Sequence, residues 1–268
     1  MLLVACLDAV APSARAPLGD RPVDTSPAES TADSADSAVD APIAEGFPCD
    51  PEASGCDAGL SCCTACCLQD AVPVCTAPDS EGACPLPDLS VDPELLARDV
   101  AIETITVAED DCAWAEACMD DLGDRVVVRF TTSTPNDGTA DIILGDPEWN
   151  PDRFAWSECH QHYHAKDFAE YRVLDAAGET VLTGRKQAFC LMDTENDQGF
   201  GFPTYTCAYQ GISVGWTDIY GGDLDCQWMD VTSLEPGDYT LAVELDPLDW
   251  IPEVDDANNT STVAFSVP

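Results

Sequence analysis

Fifteen cysteines in a chain of 268 residues constrain its fold more than any other feature. Eight of them, Cys49, Cys56, Cys62, Cys63, Cys66, Cys67, Cys75 and Cys84, crowd into one short stretch. No zinc-finger frame with histidines surrounds them. Thiols at this density are hard to reconcile with a reducing cytosol, so the chain is expected in an oxidising, extracytoplasmic compartment. A segment as short as 46–85 cannot bury enough apolar area to fold unaided, and four disulfides are its expected staples. Metallothionein-like metal binding is the competing use of the same residues.

The opening order Cys49, Cys56, Cys62-Cys63 is similar to small cystine-knot modules, but eight cysteines allow roughly a hundred pairings and spacing selects none. Upstream, Leu3-Val4-Ala5-Cys6 has the spacing of a bacterial lipoprotein cleavage box. Residues 1–6 thus read as a truncated signal, with a lipid on Cys6 as the one expected membrane contact. A full signal peptide needs a longer apolar stretch, which places the true start upstream. Residues 7–45 are Ala, Pro, Ser, Thr and Asp in irregular order and read as a disordered acidic linker. Nothing in the chain approaches the roughly 20 apolar residues that span a bilayer.

From residue 86 to 268 the chain turns globular, and 45% hydrophobic residues overall suffice for a core. Short β-rich runs at 125–130, 171–174, 180–183, 239–245 and 262–267 alternate with turn residues. Asp175-Ala176-Ala177-Gly178 reads as a hairpin turn and Glu235-Pro236-Gly237-Asp238 as a turn opening a strand. Only 92–100 and 110–119 suggest helices. The expected class is mostly β, an antiparallel sandwich-like domain with long irregular loops.

The formal net charge of −41 excludes nucleic acid as a partner and favours cationic ones. From Pro85 onward 37 acidic residues face 8 basic ones, so the acidity belongs mainly to the folded part. A solubility adaptation would give the same balance.

All three histidines fall in Cys159-His160-Gln161-His162-Tyr163-His164. On an extended strand this spacing puts three imidazoles on one face. They make poor core filling, whereas three neutral imidazoles are good ligands for copper or zinc and leave a position open. Only Lys166 and Lys186 are lysines. Lys186 lies in a run, Gly184-Arg185-Lys186-Gln187-Ala188-Phe189-Cys190-Leu191, that reads as a strand entering the core, where a neutral lysine becomes a nucleophile. An edge-strand lysine reaching solvent is the plainer account. The stretch 216–228 packs aromatics, acids and glycines too irregularly for a plain strand and reads as a functional loop or tight corner.

Four separated motifs then resemble, in matching order, the lysyl oxidase catalytic domain. They are Trp156-Ser157-Glu158-Cys159-His160-Gln161-His162-Tyr163-His164, Lys186-Gln187-Ala188-Phe189-Cys190-Leu191-Met192-Asp193-Thr194, Asp218-Ile219-Tyr220 through Asp225-Cys226-Gln227-Trp228-Met229-Asp230, and Pro252-Glu253-Val254-Asp255 with Asn258-Asn259. The resemblance implies Cu(II) on His160, His162 and His164. It also implies that Lys186 and Tyr220 cross-link into lysine tyrosylquinone, which condenses with a primary amine, a lysine-rich protein being one expected substrate, and yields aldehyde, ammonia and hydrogen peroxide.

The same resemblance implies the pairs Cys112–Cys159, Cys118–Cys226 and Cys190–Cys207. A further family pair would fall near Asn196 and Trp216, where this sequence has no cysteine. A calcium site is implied at Asp88, Glu253, Asp255, Asn258 and Asn259, all oxygen donors; an acidic surface cluster is the alternative. A histidine that follows the copper ligands in the vertebrate pattern is replaced here by Glu170, so Glu170 or Asp218 is the expected base. The competing functions are a non-catalytic copper-binding or adhesive surface module and, more remotely, a zinc hydrolase, which would need a metal-bound carboxylate that is missing from the motif.

Overall fold

The computed structural model of the protein describes residues 42, 44–52, 55–67, 71–184, 189–196, 199 and 201–268. The Cys6 box, nearly all of 7–45 and the 185–188 stretch holding Lys186 lie outside the described residues.

In the cysteine-rich stretch, β1 (Ser61–Cys63) pairs with β2 (Val74–Thr76). Helix α1 (Pro93–Asp99) leads into β3 (Ala101–Val107) and its partner β4 (Gly123–Arg129), with the single-turn α2 (Cys112–Ala115) between them. After β5 (Thr132–Pro135) and β6 (Ile142–Gly145) come two hairpins, β7 (Phe154–Ser157) with β8 (His162–Ala165) and β9 (Ala169–Leu174) with β10 (Thr180–Thr183). The chain closes through β11 (Glu195–Asn196), β12 (Gln210–Ile212), β13 (Trp216–Tyr220), β14 (Trp228–Asp230), β15 (Gly237–Leu245) and β16 (Thr260–Val267). Among the described residues every strand pairing is antiparallel and sheets hold two to four strands, so the expected mostly-β class is found.

Local chemistry explains the clearest elements. Asp92 caps α1 by accepting from the backbone N–H of Glu94 at 2.9 Å and of Leu95 at 3.1 Å, and Pro93 supplies a preset φ in the first turn. The β9–β10 turn forms because Asp175 accepts from Ala177 and Glu179, while Gly178 takes a φ of +83° that most side chains resist. Along β9, Ala169, Tyr171 and Val173 point inward while Glu170, Arg172 and Leu174 are only partly buried.

Those inward residues join Leu241 and Val243 of β15, Phe265 of β16 and Val128 of β4 in one core. Phe130 meets Tyr171 edge-on at 4.9 Å within it. The eight cysteines of the short stretch form Cys49–Cys62, Cys56–Cys75, Cys63–Cys84 and Cys66–Cys67, so they are staples rather than metal thiolates. This stretch is docked: the Cys66 carbonyl accepts from Ile143 N–H and its side chain enters the main core.

One expectation is corrected. Trp216–Tyr220 is a regular strand, paired on one side with β5 and on the other with β11. The mixture of aromatic and acidic residues concealed it because its polar Thr217 and Asp218 are buried while its apolar Trp216 and Ile219 are only partly so, which breaks the usual alternation.

Candidate metal centre

The metal centre grows from the β7–β8 hairpin. His162 and His164 lie on β8 across from Ser157 and Ala155, whereas Tyr163 turns to the other face and meets Trp156 at 5.0 Å. His160 departs from the expected single strand. It sits in the turn before β8, where Gln161 at φ +57° breaks the extended run and its N–H closes onto the Ser157 carbonyl at 2.8 Å. The rings still converge, with centroids 5.7 Å apart for His160 and His162, 5.4 Å for His160 and His164, and 4.9 Å for His162 and His164. One nitrogen of each lies within 4.8 Å of one nitrogen of the others, a spacing that a single ion can bridge.

Side chains outside the hairpin hold this geometry. Nδ1 of His160 lies 3.2 Å from Oε1 of Glu116, whose carboxylate also accepts from the Ser157 hydroxyl. Gln210, fully buried, accepts from Leu191 N–H at 2.9 Å and donates to the Tyr163 carbonyl at 2.7 Å. It thereby clamps β8 to the segment around Leu191. Sequence reasoning missed both Glu116 and Gln210, since neither stands in a motif and each acts on residues tens of positions away.

The same segment links the three histidines to the tyrosine. Ala165 N–H donates to the Phe189 carbonyl, and the Phe189 ring lies 5.9 Å from His164 and stacks at 4.4 Å on Tyr220. The Tyr220 hydroxyl meets two acceptors, Oδ2 of Asp218 at 2.7 Å and the Cys190 carbonyl. One hydroxyl hydrogen cannot satisfy both, but a protonated Asp218 can donate to Tyr220 while Tyr220 donates to Cys190. Burial pushes the Asp218 carboxyl up to about 8, which favours that state. Burial and the neighbouring carboxyl likewise hold the Tyr220 phenol well above its ordinary value. Oδ1 of Asp218 is buried with no hydrogen-bond partner among the described residues.

The three implied disulfides are all present: Cys112–Cys159 beside His160, Cys118–Cys226 beyond Glu116, and Cys190–Cys207 behind Tyr220. Asn196 and Trp216, where a further family pair would fall, are direct cross-strand partners. Glu170 is not brought to this site. It lies on the side of β9 away from the core and pairs with Arg172 at 3.0 Å. Lys186 is outside the described residues.

A cavity of about 490 Å³ opens beside His162, with Asp146, Glu148 and Trp156 in its wall. A larger groove of about 820 Å³ runs along the opposite face of β13, lined by Thr217 and Ile219 rather than Asp218 and Tyr220, so its size does not make it the site.

Four of the residues in the implied calcium set form two hydrogen-bonded pairs. Asn258 donates to Asp88 at 3.0 Å, while Glu253 accepts from Asn259 at 2.9 Å and from Leu89 N–H at 2.6 Å. The Oδ1 atoms of Asn258 and Asn259 are buried with no hydrogen-bond partner among the described residues, and burial pushes the Glu253 carboxyl up to about 7. Asp255 is more exposed and accepts from Ala257 N–H.

A disulfide-fastened, antiparallel β domain thus brings three convergent imidazoles, through Phe189, to a half-buried tyrosine. The family model described as lysyl oxidase matches residues 87–267, and this chain belongs to that family. Human protein-lysine 6-oxidase is 38% identical over 186 residues, covering 65% of this chain and 44% of the human protein. The pig protein of the same name is 37% identical over 186 residues and is covered to 74%. Human lysyl oxidase homolog 1 is 37% identical over 187 residues, 32% of its length. The chain thus spans under half the length of most of these relatives.

Proposed function

We propose that this protein oxidises primary amines, peptidyl lysine among them, to aldehydes with release of ammonia and hydrogen peroxide. The observation that carries the reading is the run of ring contacts from His164, tilted against Phe189, to Tyr220, which stacks on Phe189 and rests its hydroxyl on a buried carboxyl. His160, His162 and His164 would hold copper, and the donor set of three imidazoles with cavity on one side suits that ion. When bound, copper supplies redox chemistry with dioxygen, and a quinone built from Tyr220 and Lys186 supplies the carbonyl that accepts the amine's electrons.

The chain's own residues do the rest. Phe189 fixes the Tyr220 ring and keeps water from its face. Asp218 holds a proton next to the Tyr220 oxygen and, once ionised, is the base placed to take a proton from a substrate carbon; burial brings its pKa near the working range of such a group. Asp146 and Glu148 give the cavity beside His162 the charge to draw an ammonium group. Relatives named protein-lysine 6-oxidase make lysine the favoured amine.

Calcium at Asp88, Glu253, Asp255, Asn258 and Asn259 would use the two amide oxygens that lack hydrogen-bond partners and relieve the buried Glu253. Seven disulfides among the described residues support an extracytoplasmic location. A lipid on Cys6 would tether the protein there. Among the described residues no helix is long and apolar enough to cross a membrane.

The test is the mass of the peptides carrying Lys186 and Tyr220 after copper-loaded expression. A cross-linked quinone peptide is expected. Two unmodified peptides would instead make the protein a copper-binding module without the oxidase activity.

A further inference from the structure

The three histidines are not held alike. His162 and His164 are two residues apart on β8, where the ladder to β7 sets the direction of both side chains. His160 has no such support, since it stands in a turn closed by a left-handed Gln161. A turn residue keeps rotamer freedom that a strand residue has lost, so something else must fix this ring.

We infer that Glu116, assisted by Ser157, is a positioning residue that builds His160 into the metal site. This rests on the reading that the three histidines hold copper. Three observations carry it. The Glu116 carboxylate reaches Nδ1 of His160 at 3.2 Å and also accepts the Ser157 hydroxyl. Ser157 Oγ accepts from His160 N–H at 3.0 Å, so backbone and ring of His160 are gripped by one connected pair. Finally, Glu116 is itself clamped. It ends α2, whose first residue Cys112 is bonded to Cys159, the residue before His160, and two residues after Glu116 Cys118 is bonded to Cys226. Both partners are largely shielded, with side-chain exposures of 21% for His160 and 11% for Glu116, so water competes weakly for the contact.

The chemical consequence is a choice of nitrogen. A carboxylate at Nδ1 keeps the proton on that nitrogen and leaves Nε2 as the donor a metal would use, with the ring held in one plane. The directions of His162 and His164 are set by the strand. Glu116 therefore acts through His160 and does not itself touch the ion.

The experiment uses the full chain, stripped of metal by chelator dialysis and titrated with Cu(II) against a competing chelator of known affinity. Glu116→Ala is expected to weaken Cu(II) binding about 10- to 100-fold, the usual effect of losing such a partner. Its Cu(II) paramagnetic resonance spectrum should also change, because one imidazole is no longer fixed. Glu116→Gln keeps an acceptor oxygen and should recover most of the affinity. Ser157→Ala should lose less than Glu116→Ala, and Glu158→Ala, an exposed neighbour, should bind like wild type. Thiol titration confirms that the disulfides of each variant are intact. Wild-type affinity and spectrum in Glu116→Ala overturn the inference. Should that variant fail to fold, Glu116→Met, which fills similar space without an acceptor oxygen, takes its place, and wild-type affinity and spectrum in it overturn the inference instead. If His162→Ala binds as much Cu(II) as wild type, the copper reading itself falls, and this inference with it.

Discussion

The β7–β8 hairpin and strand β13 supply the two halves of the site, and they are built on opposite terms. The hairpin gathers three histidines within five positions, beside a cavity, with His160 still partly accessible. Strand β13 presents Asp218 and Tyr220 to an interior where Asp218 has no exposed surface, and its neighbours come from Phe189, Cys190 and Met192. The cavity leaves room for an ion beside the histidine half. The tyrosine half is more closed, with the half-buried Tyr220 ring stacked on Phe189 at 4.4 Å. Closure has a cost: it leaves a carboxyl where ionisation is disfavoured. The difference teaches that the clustering of the histidines is a local property of the chain, while their support and the tuning of the tyrosine are properties of the packed interior.

Breaking the metal half should have the largest effect. Replacing His162 or His164 by alanine is expected to abolish copper retention and, with it, quinone formation. Metal content by mass spectrometry and hydrazine labelling read the two losses, and full copper occupancy in a triple-alanine variant would refute the assignment.

Breaking the tyrosine half should separate the two. Tyr220→Phe and Lys186→Ala are each expected to keep stoichiometric copper while losing peroxide release from amines and any hydrazine adduct. Either variant still turning over an amine would defeat the pairing of these residues.

Asp218 sharpens the comparison through pH. A carboxyl whose pKa is raised by folding holds its proton more tightly in the folded chain than in the unfolded one. Stability therefore falls as pH rises from the ordinary carboxylate value of 3.8 to about 8, and the whole penalty is present above that. The penalty is on the order of 5 kcal/mol. Asp218→Asn cannot ionise, so in metal-free protein its unfolding free energy should lose this slope. Urea titrations at about pH 5 and about pH 9 measure the difference between variant and parent, which cancels the contribution of Glu253. Equal slopes would mean that Asp218 is solvated and not the proton holder proposed.

The smallest effect concerns approach from outside. The carboxylates Asp146 and Glu148 and the overall charge of −41 act through solvent, whereas the buried half does not. Such attraction is screened beyond about 10 Å at roughly 0.1 M salt. We expect kcat/KM for a lysine-rich protein to fall steeply between low and high salt, while that for a small monoamine changes far less. Matching salt dependence for the two substrates would return the acidity to solubility.

Much of this was legible in the sequence where the physics is local. The helix at 92–100, the turn Asp175-Ala176-Ala177-Gly178, the β run at 171–174 and the clustering of the histidines depend on a few consecutive residues. Disulfide partners came from resemblance, and the structure joins the same pairs. The rest was decided only when distant segments met. Glu170 follows the histidines closely in sequence, yet the pleat of β9 turns it outward to Arg172. Glu116, in no motif, reaches His160 where Cys112–Cys159 ties α2 to the hairpin and Cys118–Cys226 anchors the chain just after it. Asp218 and Tyr220 could be named as residues, but their shared proton and raised pKa arise from desolvation by Phe189, Cys190 and the sheet around β13. Periodicity and turn chemistry are properties of neighbours along the chain, whereas desolvation depends on everything that covers a group, and only the tertiary structure says what that is.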